Sequence, residues 1–359
     1  MKKNILNYDL DSLREEISQA GFPSFHANQI INWIHKKQCI DFDSMTNIGK
    51  NLNEWLKTHF EIALFDVTKR HDSSDGTIKW VFKTIKGNIE SVYIPHEGRG
   101  TLCVSSQVGC ALACQFCATG AQGLIRNLSC SEIIAQLWIA INALRTTDQP
   151  RPISNVVFMG MGEPLMNEKH VFKAINLMLE DHAYGFSKYR VTVSTVGIVP
   201  AMYRLYDSTG ASIAVSLHAP NQKIRDKIVP INQKYPLDDL MKACHDYVDR
   251  SKRSITFEYT MIKGVNDSIE CAKQLVKLLS KMNCKINLIP CNPIDGGIYS
   301  SSSMKQINDF QMYLKKKGFC VTTRRTRGDD IAAACGQLAQ TDMQIGRQIF
   351  NHPVEIRSS

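Results

Sequence analysis

The chain has 359 residues, of which 43% are hydrophobic and 21% charged, a composition typical of a globular protein and not of a disordered one. Lys and Arg outnumber Asp and Glu by 43 to 34, and the formal charge of +9 favours a polyanionic partner. Acidic residues soon after Lys2 and Lys3 interrupt any signal-peptide core, and no apolar run is long enough to span a bilayer. We therefore expect a cytoplasmic protein without membrane contact, whose 12 cysteines include metal ligands or catalytic thiols.

Residues 1–60 are predicted to form a small helical accessory domain that could contact RNA. Asp11 or Ser12 is expected to cap the first helix. Two further helices are predicted over residues 26–37 and 48–59, where apolar residues recur at helical spacing.

Residues 61–100 alternate between apolar and polar positions around two turn sequences, Asp75-Gly76 and Lys86-Gly87. This pattern predicts a short β extension that leads into the next domain. A barrel-type domain is expected over residues 101–345, followed by a tail at 346–359.

From about residue 101, short apolar runs alternate with helical stretches. This alternation predicts an α/β domain built on a parallel sheet, either open or closed into a barrel. Parallel sheets place ligand sites at the carboxyl ends of their strands. The predicted strands cover residues 102–104, 156–159, 191–193, 213–217, 255–259, 286–289 and 320–322, and the predicted helices cover 131–144, 169–179, 237–248, 269–282 and 304–316.

Three cysteines, Cys110, Cys114 and Cys117, follow the first of these strands with the spacing C-x3-C-x2-C. A structural zinc site needs a fourth ligand, which could be Cys103, Cys130 or a distant His. A cubane iron–sulfur cluster held by three cysteines instead leaves one iron open to a substrate or cofactor. The spacing favours the cluster, and zinc stays the alternative.

Small or polar residues follow four of the predicted strands. Each of them alone is more often an ordinary turn residue. Together they predict a ring of ligand-binding groups at one edge of the sheet. The residues are Gly162 and Glu163 in MGMGEP, Ser194 in VSTVG, Ser216, Leu217 and His218 in SLHAP, and Asn292 in IPCNP.

Two further cysteines are candidate reactive thiols. Free cysteines are usually buried apolar residues, and we expect this of most of the others. Cys335 differs because it follows the polar stretch RRTRGDD and precedes Gly336. Cys103 ends the strand that feeds the three-cysteine loop, so its side chain is expected to point toward the same cavity.

Several segments together resemble the RlmN and Cfr family of radical S-adenosylmethionine (SAM) RNA methyltransferases, with RlmN the closer branch. The resemblance covers nearly the whole chain. It implies a partial (β/α) barrel of the radical SAM type and methylation of carbon 2 of an adenosine in 23S rRNA, and of the adenosine 3′ of the anticodon in tRNA. The matching segments are RGTLCVSSQVGCALACQFCATGAQGLIRNL, FMGMGEPLMN, SLHAP, MIKGVNDS and IAAACGQL.

The resemblance also implies a cofactor set. Cys110, Cys114 and Cys117 would ligate a [4Fe–4S] cluster whose open iron binds SAM, and two SAM molecules would be used in each turnover. A flavodoxin-type protein would supply electrons, and we expect a monomer. The implied SAM-site residues are Gly162, Glu163, Ser194, Ser216, Leu217, His218 and Asn292.

Three residues receive catalytic roles from the same resemblance. Cys335 would accept a methyl group from the first SAM, and the second SAM would generate the radical that removes hydrogen from that methyl group. The methyl carbon would then add to adenine. Cys103 would release the product by forming a transient disulfide with Cys335, and Glu90 would remove the C2 proton. Without the resemblance, an exposed strand residue would be the preferred interpretation of Glu90.

Two other functions stay open on the sequence. One is a Cfr-type C8 adenosine methyltransferase, since Val196 stands in STVG where many RlmN sequences have Ser. The other is a non-catalytic, zinc-stabilised RNA-binding protein, which gives Cys335 no role. Arg324, Arg325 and Arg327 are candidates for RNA phosphate contacts because guanidinium groups match phosphate oxygens.

Overall fold

The computed structural model describes residues 2–338. The predicted tail at 346–359, and residues 339–345 of the predicted barrel domain, lie outside the described residues. The described part consists of a helical N-terminal region, one ten-stranded sheet and the helices that cover it. None of its helices is long and apolar enough to cross a membrane.

The N-terminal region is mainly helical, as predicted. The first helix begins at Leu10, and its N-cap is Asp9 instead of Asp11 or Ser12, because Asp9 Oδ1 accepts a hydrogen bond from the Ser12 N–H at 3.0 Å. The second helix continues as a π-helical turn over Asn32–Lys36. The elements are β1 (Lys3–Asn4), α1 (Leu10–Gln19), α2 (His26–Ile31), α3 (Lys50–His59) and β2 (Phe60–Glu61), with β1 and β2 paired in parallel.

Four antiparallel strands then form one wing of the main sheet. Lys79 pairs with Val92, and Val92 pairs with Cys103 on the next strand. Because direct cross-strand partners project from the same face of a sheet, these three side chains lie in one row. The strands are β3 (Asp66–Asp72), β4 (Ile78–Lys83), β5 (Asn88–His96) and β6 (Arg99–Cys103).

A small hairpin carries the three-cysteine loop. It consists of β7 (Gln107–Gly109) and β8 (Leu124–Asn127), with α4 (Ala118–Gln122) between them. The loop is closed by a hydrogen bond from the Cys110 N–H to the Gly123 carbonyl at 2.9 Å. Gly109 has φ of +73°, and a Cβ there would lie 1.8 Å from that carbonyl oxygen, so only glycine fits this close approach.

The rest of the described chain alternates helices and strands, and β6 and β9–β14 form a parallel sheet in sequential order. The sheet is open, with β3 and β14 at its edges, which confirms the predicted α/β partial barrel. Helices α7 and α8 were not predicted. The elements are α5 (Cys130–Leu144), β9 (Asn155–Phe158), α6 (Glu168–Leu179), β10 (Val191–Thr195), α7 (Val199–Thr209), β11 (Ser212–Ser216), α8 (Gln222–Ile228), α9 (Leu237–Ser251), β12 (Ile255–Met261), α10 (Ile269–Leu279), β13 (Cys284–Pro290), α11 (Met304–Lys316) and β14 (Cys320–Thr323).

Candidate active site

The three-cysteine loop brings Cys110, Cys114 and Cys117 into electrostatic contact with one another. Burial raises the pKa of the Cys110 thiol to about 12, and the nearby Cys117 sulfur adds to this shift. Burial also raises the pKa of Cys114 well above its usual range, with Cys110 and Cys117 contributing. Three thiols that resist ionisation for these reasons would ionise readily around a cationic centre.

Backbone N–H groups point at two of these sulfurs. Leu112 and Glu163 donate to Cys110, and Thr119 and Gly120 donate to Cys117. Hydrogen bonds of this kind tune iron–sulfur clusters, so the donor set of the loop fits a [4Fe–4S] cluster with three protein ligands. Within residues 2–338, no three His, Cys, Asp or Glu side chains are gathered closely enough to hold a single metal ion.

A cleft of about 770 Å³ opens at the carboxyl ends of the parallel strands; we call it the strand-end cleft. Leu217 is the one predicted SAM-site residue that does not line it, because its side chain is fully buried in the core. The structure brings the other six to this cleft, together with two of the cysteines. These lining residues are Gly162, Glu163, Ser194, Ser216, His218, Asn292, Cys117 and Cys335.

Glu163 is buried in the wall of the strand-end cleft. Its Oε1 accepts a hydrogen bond from the Leu165 N–H at 3.1 Å, and its Oε2 accepts one from the Val196 N–H at 3.0 Å. Burial raises the pKa of Glu163 to about 7 in spite of these donors. The preceding Gly162 has φ of +94°, and a Cβ there would lie 2.4 Å from the Gln107 side chain, so this turn requires glycine.

His218, which also lines the strand-end cleft, is held as a neutral imidazole. Burial lowers its pKa to about 3, and its Nδ1 accepts a hydrogen bond from the Thr260 N–H at 3.1 Å. The edge of the ring meets Phe116, with 4.7 Å between the ring centroids. Ser194 and Ser216 lie side by side at the ends of the neighbouring strands β10 and β11, with their hydroxyl oxygens 3.5 Å apart.

Arg225, which the sequence reasoning missed, holds two strand ends in place. Its side chain is 1% exposed. The guanidinium donates to the carbonyls of Val196, Ser216 and Leu217 at 2.5, 3.3 and 3.1 Å. These carbonyls follow β10 and β11, so Arg225 fixes the backbone from which Ser194 and Ser216 project. No local motif marks this arginine in the sequence.

A second cleft, of about 510 Å³, contains both candidate reactive thiols; we call it the thiol cleft. Cys103 and Cys335 both line it, and the Asn292 side chain donates to the Cys335 carbonyl at 3.0 Å. Burial raises the pKa of Cys103 to about 12, and the proximity of Cys335 adds to the shift. The thiol cleft shares six lining residues with the strand-end cleft: Met159, Ile289, Pro290, Asn292, Arg324 and Cys335.

The predicted arginines divide between the interior and the rim. Arg324 lines both clefts, and its pKa is raised by the nearby Cys335, Glu258 and Cys103 groups. It therefore faces the two thiols, whereas the sequence suggested an RNA phosphate contact. Arg325 is exposed at the thiol cleft.

Glu90 is buried, so the alternative of an exposed strand residue is wrong. Its Oε2 lies 3.8 Å from the Nζ of Lys79, which is buried as well. Val92 follows Glu90 on the same face of β5, lines the thiol cleft and pairs directly with Cys103. Glu90 itself is not among the described residues that line this cleft, but it lies on the sheet face that the cleft covers.

Comparisons with known proteins agree with this geometry. Residues 104–278 match the model of the radical SAM superfamily, and residues 3–62 match the model of the ribosomal RNA large subunit methyltransferase N-terminal domain. The dual-specificity RNA methyltransferase RlmN of Francisella tularensis subsp. novicida (strain U112) is 50% identical over 343 residues, which is 94% of this chain and 93% of that protein.

A second curated relative, the dual-specificity RNA methyltransferase RlmN of Francisella tularensis subsp. holarctica (strain LVS), is 49% identical over the same shares of both chains. Among solved structures, a radical SAM methyltransferase from Sphaerobacter thermophilus superimposes with a TM-score of 0.87 at 39% identity. That match covers 94% of this chain and 99% of the solved one.

Proposed function

The chain belongs to the RlmN family of radical SAM methyltransferases, and we propose that it methylates carbon 2 of an adenosine in 23S rRNA and of the adenosine 3′ of the anticodon in tRNA. The observation that carries this proposal is the position of Cys335. This thiol lies where the strand-end cleft meets the thiol cleft, so it can face both SAM and an inserted base. The Cfr-type C8 activity is not favoured, because both curated relatives bear the RlmN name.

The cofactors would be divided between the loop and the strand-end cleft. Cys110, Cys114 and Cys117 would hold the [4Fe–4S] cluster. With SAM bound, the cluster supplies a carbon-centred radical that can remove a hydrogen atom from a methyl group. The residues proposed to bind SAM through side chain or backbone are Gly162, Glu163, Ser194, Ser216, Leu217, His218 and Asn292.

Cys335 is proposed to act first as a nucleophile. Its thiolate takes the methyl group of one SAM, which forms a thioether as the sulfonium C–S bond breaks. A thiolate is required for this displacement, and the Arg324 guanidinium beside Cys335 stabilises negative charge there. Because Cys335 lines both clefts, the methylated sulfur can then face a base in the thiol cleft.

Glu90 and Cys103 are proposed to complete the reaction on the other side of the thiol cleft. Once the methyl carbon is joined to C2, the adduct still carries the unpaired electron of the radical. It would lose one electron, for which the oxidised cluster would be the acceptor, and Glu90 would accept the C2 proton. The Cys103 thiolate then attacks Sγ of Cys335, forming an S–S bond as the S–C bond to the product breaks, and the product carbon gains a proton. Both thiols line the same cleft, which supports this step.

The RNA is proposed to insert an unpaired adenosine into the thiol cleft, because C2 of a stacked base is out of reach. The net charge of +9 and the exposed Arg325 at the cleft favour the phosphate backbone. We propose a flavodoxin-type electron donor and a monomeric enzyme that meets its RNA substrates in the cytoplasm.

Nucleoside mass spectrometry tests the proposal. Anaerobically reconstituted protein, with its iron, sulfide and zinc content measured, is mixed with SAM, reductant and unmethylated 23S rRNA or tRNA. Wild type is expected to give 2-methyladenosine in both RNAs, whereas Cys335→Ala gives none. Cys320→Ala, which removes an exposed thiol, serves as the matched control and is expected to behave as wild type.

The other outcomes separate the alternatives. Formation of 8-methyladenosine would establish the Cfr-type reaction in place of the proposed one. A colourless protein that contains stoichiometric zinc and no iron would support a non-catalytic zinc site. No product from protein that holds its cluster and cleaves SAM would show that the proposed RNA substrates are wrong.

A further inference from the structure

The turn between β3 and β4 contacts the chain segment that precedes Cys335. Ser73 Oγ donates to Asp330 Oδ1 at 2.6 Å, and the Ser74 N–H donates to Asp330 Oδ2 at 3.2 Å. Ser73 and Asp330 are more than 250 residues apart in the chain. Both carboxylate oxygens of Asp330 are therefore used to fasten this segment to the turn.

Asp75 makes the second connection between the same two stretches. Its Oδ2 accepts a hydrogen bond from the Gly328 N–H at 3.1 Å and lies 3.7 Å from the Arg327 guanidinium. Burial alone would raise the pKa of Asp75, but hydrogen bonds from Thr77 and Gly328 hold it well below its usual range. The contact is therefore made by an ionised carboxylate, which forms stronger hydrogen bonds than a neutral group does.

Lys79, on β4, makes a third connection nearer to the thiol. Its ammonium donates to the Ala332 carbonyl at 3.2 Å from a position that is almost fully buried. Ala332 has φ of +49°, a left-handed conformation that is unfavourable for a residue with a Cβ. The surrounding contacts must therefore hold it, and the Lys79 hydrogen bond is one of them.

The two stretches also fit closely in shape. Gly328 has φ of +62°, and a Cβ built there would lie 2.9 Å from Thr77 Cγ2 and 2.9 Å from the Ala333 Cβ. The turn thus packs directly on the segment, without a gap that a side chain could fill. We call these contacts the clasp: Ser73, Ser74, Asp75 and Lys79 on one side, and Arg327, Gly328, Asp330 and Ala332 on the other.

Cys335 is consequently held from two directions. On the barrel side, Asn292 donates to its carbonyl, and the Ala118 N–H donates to the Gly336 carbonyl at 2.8 Å. On the other side, the clasp ends at Ala332, three residues before the thiol. Ser73, Asp75 and Asp330 line neither cleft, so these three side chains act on the thiol through the backbone of the segment that they hold.

We propose that the clasp is a positioning device that sets Cys335 against Cys103 across the thiol cleft, so that Ser73, Asp75, Lys79 and Asp330 are positioning residues for the methyl-carrying thiol. The contacts of the clasp are independent of the reaction that the protein catalyses. The consequence of the clasp for turnover rests on the proposed function. The β extension would then serve the reaction by fixing the distance that the Cys103–Cys335 disulfide must bridge.

Disulfide formation between the two thiols tests this without RNA or SAM. Full-length, cluster-loaded protein is treated anaerobically with a low concentration of diamide, and the Cys103–Cys335 peptide is quantified by mass spectrometry. We expect Asp330→Ala to form it about tenfold more slowly, because a doubly hydrogen-bonded carboxylate is lost. Asp329→Ala is the matched control, since the exposed Asp329 carboxylate makes no hydrogen bond or ion pair among the described residues.

Two variants of Ser73 test the same contact in case Asp330→Ala does not fold properly. Ser73→Ala is expected to slow disulfide formation as well, whereas Ser73→Thr, which keeps the hydroxyl, restores the rate. Melting temperature and iron content are measured for each variant. Equal rates in Asp330→Ala and Asp329→Ala, or failure of Ser73→Thr to restore the rate that Ser73→Ala loses, would overturn the proposal.

Turnover gives a separate measurement that a general loss of stability would not mimic. In Asp330→Ala, the number of SAM molecules cleaved per methylated adenosine is expected to rise several-fold, while Asp329→Ala keeps the wild-type ratio. Disulfide formation that slows in Asp330→Ala and Ser73→Ala, together with a wild type that yields no methylated adenosine, would support the clasp and contradict the proposed substrate. A wild type that methylates RNA, together with clasp variants that keep the wild-type rate of disulfide formation and the wild-type number of SAM molecules cleaved per methylated adenosine, would contradict the clasp and support the proposed function.

Discussion

Replacing Lys79 by Met removes the ammonium from a buried ion pair. The free energy of unfolding of this variant measures the cost of leaving the Glu90 carboxylate buried without its partner. The Lys79 and Glu90 side chains are 3% and 4% exposed, and their charged atoms lie 3.8 Å apart. At an effective dielectric constant of about 20, two unit charges at this distance attract each other by about 4 kcal/mol. Burial lowers the pKa of Lys79 while Glu90 raises it, so desolvation opposes this attraction.

The unbalanced single variant should therefore be much less stable than one that lacks both charges. Breaking a buried pair by removing one partner costs about 3–5 kcal/mol, because the remaining charge stays buried. We expect Lys79→Met to lose about 3 kcal/mol of unfolding free energy. The double variant with Glu90→Gln should recover about 2 kcal/mol of this, since neither remaining group is charged.

Chemical denaturation followed by circular dichroism measures these differences. Lys79 also donates to the Ala332 carbonyl, but this loss is common to the single and the double variant and cancels between them. Lys83→Met, which removes an exposed lysine from the same strand, is the matched control and should change stability by less than about 0.5 kcal/mol. Equal losses in Lys79→Met and the double variant would refute the coupling between the two side chains.

Three further predictions concern residues away from the thiols. Burial lowers the pKa of His35 to about 3, so below pH 6.5 the unfolded state binds a proton that the folded state does not. This difference should lower stability by about 1 kcal/mol per pH unit from pH 6.5 to 5. In thermal melts His35→Gln should reduce the slope of stability against pH by that amount and leave the similar contribution of the buried His218. Gly162→Ala should weaken SAM binding more than about tenfold in equilibrium dialysis, because its Cβ would strike Gln107 at a φ of +94°. Arg225→Met should lose about 3 kcal/mol in urea unfolding and weaken SAM binding, whereas Arg204→Met, which removes an exposed ion pair, should change either by little.

Much of the fold follows from local patterns in the sequence. Apolar runs predicted all seven parallel strands, and α11 begins and ends at the predicted residues, Met304 and Lys316. Helices α7 and α8 were missed for local reasons as well. α8 is a short polar segment of seven residues and shows no long apolar stripe. α7 is amphipathic, and the proline in its first turn is a start signal that could have revealed it.

The candidate site was predictable only where its chemistry is local. The spacing of Cys110, Cys114 and Cys117 marks a metal loop, and small residues mark the strand ends. The resemblance to the RlmN family implies that Leu217 belongs to the SAM site, together with its neighbours Ser216 and His218. Its side chain instead projects into the core, as side-chain alternation along an extended chain requires.

Contacts between distant parts of the chain left no trace in the sequence. The contacts of Lys79 with Ala332 and of Ser73 with Asp330 each join positions more than 250 residues apart. The spacing of apolar residues along the sequence does not predict contacts of this kind. The inward orientation of Arg324 was hidden for a similar reason. A run of three arginines predicts a basic surface, and only the packing of the last segment against Cys103 and Glu258 turns one of them inward.

Cys335 lies on a loop segment and not on a barrel strand, and it lines both clefts. Fixing a loop in one conformation costs conformational entropy, and a loop has no sheet hydrogen bonds to offset that cost. Contacts from outside the barrel are therefore needed to hold this segment in place. Gly336 lets the chain turn against the three-cysteine loop. It has φ of +83°, and a Cβ there would lie 3.1 Å from the Phe116 carbonyl oxygen. The clasp fixes the same segment on its other side, so the position of the thiol depends on contacts from both the barrel and the β extension.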